Sequence, residues 1–377
     1  SFSPGEATGK RGGVRALHAD SGELRWLYQT IPDPNAGKED GASVWSSISV
    51  DVAAGMVLAT TGNNFSIAGP NADAFHAIDL TSGARRWVKQ VREGDVFTAA
   101  AALAGKDTTK FDFDFGANPI LADIAGRRVV AAGDKGGSFW VLDRETGEIL
   151  WRRDDLSASA DATFGGILMN GAFDGRAFYV VSNDAKNGGA TLHRLDAVQG
   201  MSTWKHAFKE TTWGAPSLAN GLVFVPNNTQ LYVLNAETGE QLNKFETAGT
   251  MVGGAPAIAQ GNVVVKSGFL YVDPNTRLND QVICYALPGT ATAQGAAGAS
   301  GGAAPPPTAA SFSAVYQSLV VGTGCNTGQC HSGAAAGGLD LTTQEKAYQN
   351  LVGVTAMGQV PPGSAAPSCA TSGMLRV

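Results

Sequence analysis

Apolar and polar positions along this chain fall into short runs that alternate with period two, broken by polar turns containing Gly. Five stretches share one pattern: VRALHADSGELRW (14–26), FHAIDLTSGARRW (75–87), FWVLDRETGEILW (139–151), LHRLDAVQGMSTW (192–204) and LYVLNAETGEQLN (231–243). In each, a β-run meets an Asp-like turn, Gly follows, and Trp comes four residues later. The glycines, Gly22, Gly83, Gly147, Gly200 and Gly239, lie 61, 64, 53 and 39 residues apart, and the aromatics are Trp26, Trp87, Trp151 and Trp204, with Asn243 in the last copy. Period-two alternation predicts strands, and Gly at a left-handed turn position predicts hairpins. A large aromatic at a fixed offset predicts packing between neighbouring sheets. Repeats of roughly 40–60 residues, each about one four-stranded sheet, predict an all-β fold of the β-propeller type. The five repeats are followed by a closing strand in QVICYALP (281–288), and the first residues fall in the outer half of a blade. Such rings use roughly six to eight blades, which predicts about two or three further blades ahead of the first repeat.

The pattern stops at Pro288. GTATAQGAAGASGGAAPPPTAA (289–310) has no periodicity and no charge, so 289–311 reads as a linker stiffened by Pro305–Pro307. Residues 312–377 read as a second, mostly α domain, with helical apolar spacing at Val315, Leu319 and Val320 ahead of Cys325-Asn-Thr-Gly-Gln-Cys330-His331. The propeller is then 1–288. A net charge of −6 with no basic cluster speaks against a nucleic-acid surface. No apolar run approaches the ~20 residues of a membrane span. The chain starts at Ser1 without Met or a signal peptide, which predicts a processed chain or a fragment.

One stretch stands apart from the repeats. KFDFDFGANPIL (110–121) alternates acids with aromatics, so an extended backbone puts Asp112 and Asp114 on one face and Phe111, Phe113 and Phe115 on the other. Two neighbouring carboxylates repel unless something positive lies between them. Either acid could instead cap a turn.

The D-x-x-T-G-x-x-x-W repeat resembles the pyrroloquinoline quinone (PQQ) propeller repeat. Four segments in order sharpen the resemblance to the PQQ-dependent alcohol dehydrogenases: GKRGGVRALHADSGELRW (9–26), GASVWSSISVD with TTGNN (41–51, 60–64), KFDFDFGANPIL (110–121) and GDKGGSFWVLDRETGEILW (133–151). GGAPAIAQGNVVVKSG (253–268) resembles a late-blade segment, the match covers about residues 6–288, and the polyvinyl-alcohol-dehydrogenase-like branch is the most similar. The resemblance implies Asp112 as catalytic base, able to take a hydroxyl proton if it stays ionised. It implies a cation held by Glu6, Asn63 (or the adjacent Asn64), Asp112 and Asp114. Oxygen ligands suit Ca²⁺ or, given an acid at 114, a lanthanide. Trp45, outside the G-x-x-x-W register, would stack on the quinone. Lys135 would direct its ammonium at quinone oxygens, and Asn118 would support the Asp112 loop. A solvated terminal Glu6 and a surface Lys135 are the plainer alternatives.

In the tail, Cys325, Cys330 and His331 resemble an enlarged haem c attachment motif. A small Cys325–Cys330 disulfide is the alternative. Met357 and Met374 are candidate distal ligands, Cys369 is free or paired elsewhere, and Cys284 reads as a buried small apolar residue. Together these features resemble quinohaemoprotein alcohol dehydrogenases. The resemblance implies an alcohol substrate, small or polymeric, an electron-accepting cytochrome and a periplasmic or secreted location. A non-catalytic propeller serving assembly or adhesion would need the turn glycines and tryptophans, but not Asp112, Asp114, Asn63, Trp45 and Lys135 together.

Overall fold

The structure, a computed structural model, describes residues 1–286 apart from 4, 7, 8, 105–111, 158–164, 185, 248–251, 260 and 268–280. Phe111, the linker 289–311, the tail 312–377 and its Cys325, Cys330, His331, Met357, Met374 and Cys369 lie outside the described residues. Among the described residues six antiparallel sheets follow one another along the chain. The first has two described strands, Gly13–Leu17 and Leu24–Gln29. The next four are four-stranded meanders: Ser49–Asp51 to Arg85–Gln90, Ile120–Ile124 to Ile149–Arg153, Ala172–Phe173 to Ser202–Phe208, and Ser217–Ala219 to Gln241–Glu246. The sixth joins Ala257–Ala259, Asn262–Ser267 and Gln281–Ala286. Each sheet is one blade, and the closing strand expected near 281–288 is the third strand of the sixth. Cys284 in it is half-buried, with its sulfur 3.8 Å from Asn262 Oδ1, rather than fully enclosed. Among the described residues no helix is long and apolar enough to cross a membrane.

The repeat has a physical cause at every position. Asp79 Oδ1 accepts from the Thr81 and Ser82 amides and the Ser82 hydroxyl, and Asp143 Oδ1 does the same for Glu145 and Thr146. Asp196 and Asn235 cap their turns in the same way. The side chain thus closes the hairpin by bonding the backbone two and three residues on. The turn glycines sit at φ between 70° and 74°, the left-handed region that costs other residues about 1–2 kcal/mol.

The tryptophans are the link between blades. Trp26, Trp87, Trp151 and Trp204 each donate their indole N–H to a carbonyl of the following blade, Leu80, Arg144, Ala197 and Ala236, at 3.0–3.1 Å. The same four rings lie over the next turn glycine, so a Cβ on Gly83, Gly147, Gly200 or Gly239 would stand 2.6–2.7 Å from an indole carbon. Gly therefore answers two demands, a positive φ and room for the neighbour's ring. Gly22 has the same φ of 71° but nothing within 4 Å of a Cβ, which permits a controlled comparison. Gly22→Ala is expected to cost about 1 kcal/mol, the backbone term alone. Gly147→Ala should cost about 2–4 kcal/mol, because overpacking adds to that term. Urea unfolding midpoints of the two variants check this; equal losses would refute the socket.

Apolar clusters fill the space between adjacent blades. Val14, Trp26 and Tyr28 of the first pack on Val57, Ala59 and Ile78 of the second. Phe75 and Ala77 of the second pack on Val130, Trp140 and Leu142 of the third. A buried Arg144 of the third blade clips it to the second through Asp51 at 2.5 Å and also pairs with Asp123 of its own blade at 2.8 Å. This packing brings the segments after residues 45, 62, 112 and 134 to one place.

Candidate active site

The segment Asp112–Pro119 is a loop rather than the extended strand its alternation predicts, and the strand begins only at Ile120. Side chains and a neighbouring loop take up its backbone bonds in place of a ladder. The Phe113 amide donates to Asp95 Oδ2 at 2.6 Å, and the Lys135 amide donates to the Asp114 carbonyl at 3.0 Å. Phe115 is fully buried between the second and third blades, with its ring 5.1 Å from that of Phe75. The two acids nonetheless converge as expected, and their common partner is Lys135.

The Lys135 ammonium lies 2.6 Å from Asp112 Oδ2 and 3.0 Å from Asp114 Oδ2. This adds a partner to the sequence-based picture, in which Lys135 faced quinone oxygens and a quinone-bound metal ion lay between the acids. Two buried carboxylates at this spacing require a cation within hydrogen-bond reach, and Lys135 supplies one. Lys135 is 6% exposed and Asp112 2%. The second oxygen of Asp112, Oδ1, is buried with no hydrogen-bond partner among the described residues. Asp114 Oδ1 accepts from the Asn63 amide at 2.7 Å, and a Cβ on Gly62 would stand 2.2 Å from it. Only glycine at 62 lets the carboxylate approach.

The trio is electrically lopsided. Burial, then the Asp114 charge, push Asp112 up to about 8 against the pull of Lys135. Burial also acts to raise Asp114, but the Lys135 charge and hydrogen bond and the Asn63 amide more than offset it, holding Asp114 below the usual carboxylate range. Burial would depress Lys135, yet the two carboxylates raise it above its ordinary value. One ammonium thus balances one anion, and near neutral pH the other carboxyl, Asp112, holds a proton unless a second cation arrives.

Trp45 is 43% exposed beside this trio, its ring centroid 5.8 Å from the Lys135 ammonium. Gly62 and Gly116 make room for it, since a Cβ on either would come within 2.6–3.0 Å of the indole. Asn63 spends both amide hydrogens on the Asn64 and Phe97 carbonyls, leaving only its side-chain oxygen for other partners. Asn64, the alternative at this position, has both ends engaged: its amide donates to the Asp40 carbonyl and its oxygen accepts from Gly69. The loop behind them hangs on Asp40, whose carboxylate accepts from the amides of Gly9, Phe65, Ser66 and Ile67 and the Ser66 hydroxyl.

Glu6 and Asn118 stand at the margins. Glu6 is exposed and accepts from the Ala99 amide at 2.7 Å, two residues beyond the Phe97 carbonyl that holds Asn63. It makes no bond to the trio. Among the described residues no three His, Cys, Asp or Glu groups gather as metal ligands. The Asn118 amide donates to Asn170 Oδ1 at 2.9 Å, tying the far end of the Asp112 loop to the next blade.

Four charged residues around the trio were not singled out by the sequence. Asp134 is fully buried and accepts from Arg92, Trp140 and Ser138. Arg92 also stacks on Phe113 at 4.5 Å. Asp95 joins the two loops, its carboxylate on Phe113 and its carbonyl on the Asn64 amide. Asp73, at φ 47°, is buried with neither oxygen bonded among the described residues, and burial, then Asp95 and the other acids, raise it well above the usual range. These residues sit in unremarked positions such as Gly94-Asp95 and Ala72-Asp73, and only the fold brings them together.

Comparison with known proteins gives the same picture. Residues 3–166 match the glucose/ethanol/alcohol dehydrogenase β-propeller domain, the PQQ family, and residues 141–276 match the outer membrane protein assembly factor BamB family. A polyvinylalcohol dehydrogenase from Pseudomonas sp is 28% identical over 305 residues, covering 69% of this chain and 47% of that protein. The chain thus spans about half the length of the curated relatives it matches. Quinohemoprotein alcohol dehydrogenase from Comamonas testosteroni superposes with TM-score 0.55 at 19% identity, over 68% of this chain and 53% of that one. A europium-containing methanol dehydrogenase gives 0.56 at 18%, over 70% and 62%. Sequence, repeat and superposition converge on a β-propeller fold, and residues 3–166 are similar to the PQQ-family alcohol dehydrogenase propeller domain.

Proposed function

We propose that this site holds PQQ with Ca²⁺ or a lanthanide and oxidises an alcohol, small or polymeric. The observation that carries the proposal is the buried, unbonded Oδ1 of Asp112 beside a half-exposed Trp45 and a buried cation. A structural ion pair has no use for an unsatisfied oxygen, whereas a base or a metal ligand does. Bound there, PQQ and its cation supply the two-electron oxidant. Asp112 takes the hydroxyl proton, a role that requires it ionised, and a second positive charge would lower it from about 8. Asp114 and the Asn63 side-chain oxygen would hold the cation, with Glu6 as a candidate further ligand. Trp45 offers the flat apolar floor a planar cofactor needs. Lys135, already cationic, would stabilise negative charge developing nearby.

Cys325, Cys330 and His331 would hold a haem c in the domain 312–377, joined by the linker 289–311, giving electrons a route to an accepting cytochrome. This chemistry belongs in the periplasm or outside the cell. The match of 141–276 to an assembly-factor family favours a second reading, a propeller used as a scaffold. The trio supports the first reading, since a scaffold would not need it.

Equilibrium dialysis with PQQ, followed by its absorbance, tests the reading. Binding is expected to require Ca²⁺ or a lanthanide and to weaken about tenfold or more in Trp45→Ala, in line with the 1–3 kcal/mol of a lost aromatic stack. Alcohol-dependent dye reduction should follow in the loaded protein. Cation-independent binding, or none, would point to the scaffold. Absence of a haem spectrum would remove the tail's role alone.

A further inference from the structure

We infer that the cleft between the fourth and fifth blades binds a neutral polyhydroxylated chain. The cleft has a volume of about 550 Å³, and three packed rings, His206, Phe208 and Tyr232, line it with centroids 5.0–6.3 Å apart. Its opening has a cause in the repeat. The residue three before the turn Asp or Asn is His76, Trp140, His193 and Tyr232 in the second to fifth copies. The first three are 0–2% exposed and tied inward: His76 donates to the Asn71 carbonyl, Trp140 donates to Asp134, and His193 meets the Ser182 hydroxyl. Asn71 and Asp134 belong to the connections between the second and third strands of their blades, residues 61–73 and 134–138. In the fifth blade that connection is the two-residue hairpin Asn228-Thr229, with Asn228 at φ 50°. It turns back at once and supplies no group to cover Tyr232, whose ring stays half-buried.

The lining selects the ligand. Aromatic faces take up the C–H faces of a polyol, while its hydroxyls need partners that both donate and accept. Asn228, Gln230 and Gln241 bring such side-chain amides, and the Tyr232 hydroxyl fixes Gln230 by donating to its Oε1 at 2.6 Å. Lys209 and Lys244 are offset by Glu210 and by Glu246, which accepts from Gln230, so the cleft suits a neutral ligand. The same strand-to-strand connections carry Asn63 in the second blade and Lys135 in the third, and the strand order repeats from blade to blade. The cleft therefore opens on the face that holds the trio. A chain held there is kept at high effective concentration near Asp112, whereas a small alcohol is not. Binding stands on the cleft alone; its part in turnover rests on the oxidation proposed at the trio.

Electrophoresis of the PQQ-free protein through gels containing dextran, polyvinyl alcohol or polyethylene glycol, beside a non-binding reference protein, tests the cleft. Retardation is expected with at least one of the two polyols, dextran marking a sugar chain and polyvinyl alcohol a carbon chain. Polyethylene glycol, with no hydroxyls along its chain, should not retard it. Tyr232→Ala should weaken retention about tenfold, the worth of a lost aromatic contact. Gln241→Ala, on the exposed outer strand, should weaken it with the melting temperature unchanged. In the loaded protein Tyr232→Ala should raise KM for the retained polymer about tenfold, leaving kcat and the kinetics of a small alcohol as they were. No retardation by either polyol, equal retardation by polyethylene glycol, or retardation that neither substitution weakens overturns the proposal. Retardation that depends on Tyr232 in a protein without alcohol turnover would sink the oxidation at the trio and leave the cleft standing.

Discussion

Lys135→Met is expected to lower the unfolding free energy of the cation-free protein at pH 7 by about 3–5 kcal/mol, the cost of stripping one partner from a buried ion pair. Lys135 is the one cation bonded to Asp112 and Asp114 among the described residues, and both carboxylates are buried or nearly so. Removing it leaves the Asp114 anion without its countercharge, beside the protonated Asp112, in a poorly solvated site. The loss should depend on pH with a definite sign. A carboxyl whose folded pKa lies above its unfolded value keeps a proton in the folded state that the unfolded chain has released. Stability then falls as pH rises between the two values. For Asp112 in the parent protein that window runs from about 4 to about 8. Removing Lys135 raises both acids and steepens the fall, and below pH 4 the variant should recover towards the parent. Urea midpoints from pH 3 to 9 measure this. A pH-independent loss would mean that Lys135 contributes packing rather than charge. Added Ca²⁺ or La³⁺ should flatten the parent's decline above pH 4, because the cation replaces the proton on Asp112.

Asp112→Asn should reduce alcohol-dependent turnover of the PQQ-loaded protein by about 10²–10⁴-fold, the usual contribution of a positioned general base. The same change should make the cation-free protein more stable above pH 8, where Asp112 would otherwise be forced to ionise. A structural residue loses stability when it is altered; this one should lose activity while gaining stability. Turnover at saturating alcohol and thermal melts on the same preparation separate the two. An active Asp112→Asn would transfer the role of base to Asp114, the neighbouring carboxylate on the same ammonium. Asp114→Ala should instead shift the preference between Ca²⁺ and a lanthanide, read by dialysis of the metal.

The repeat was legible because its physics is local. Asp79, Asp143, Asp196 and Asn235 cap their own turns within three residues. The Gly at positive φ and the Trp at a fixed offset belong to the same hairpin. Strand alternation, turn chemistry and register therefore appear in any short window of the chain. The convergence of Asp112 and Asp114 was legible for the same reason, since two residues of separation put them on one side of whatever backbone carried them.

What the chain could not display was which groups from different blades would meet. Lys135 lies 21 and 23 residues from its two acids, the Asp114–Asn63 bond spans 51 residues, and the Asp51–Arg144 clip spans 93. Sequence alone determined a β-propeller built from Trp-linked blades and named most of the side chains that line its site. Tertiary structure decided that Lys135 neutralises the acids, that Asn63 rather than Asn64 keeps a side-chain oxygen available, and that Asp73, Asp95 and Asp134 crowd the same site. The physical reason is that a buried charge is settled by its nearest opposite charge in space, and spatial neighbours in a propeller come from successive blades.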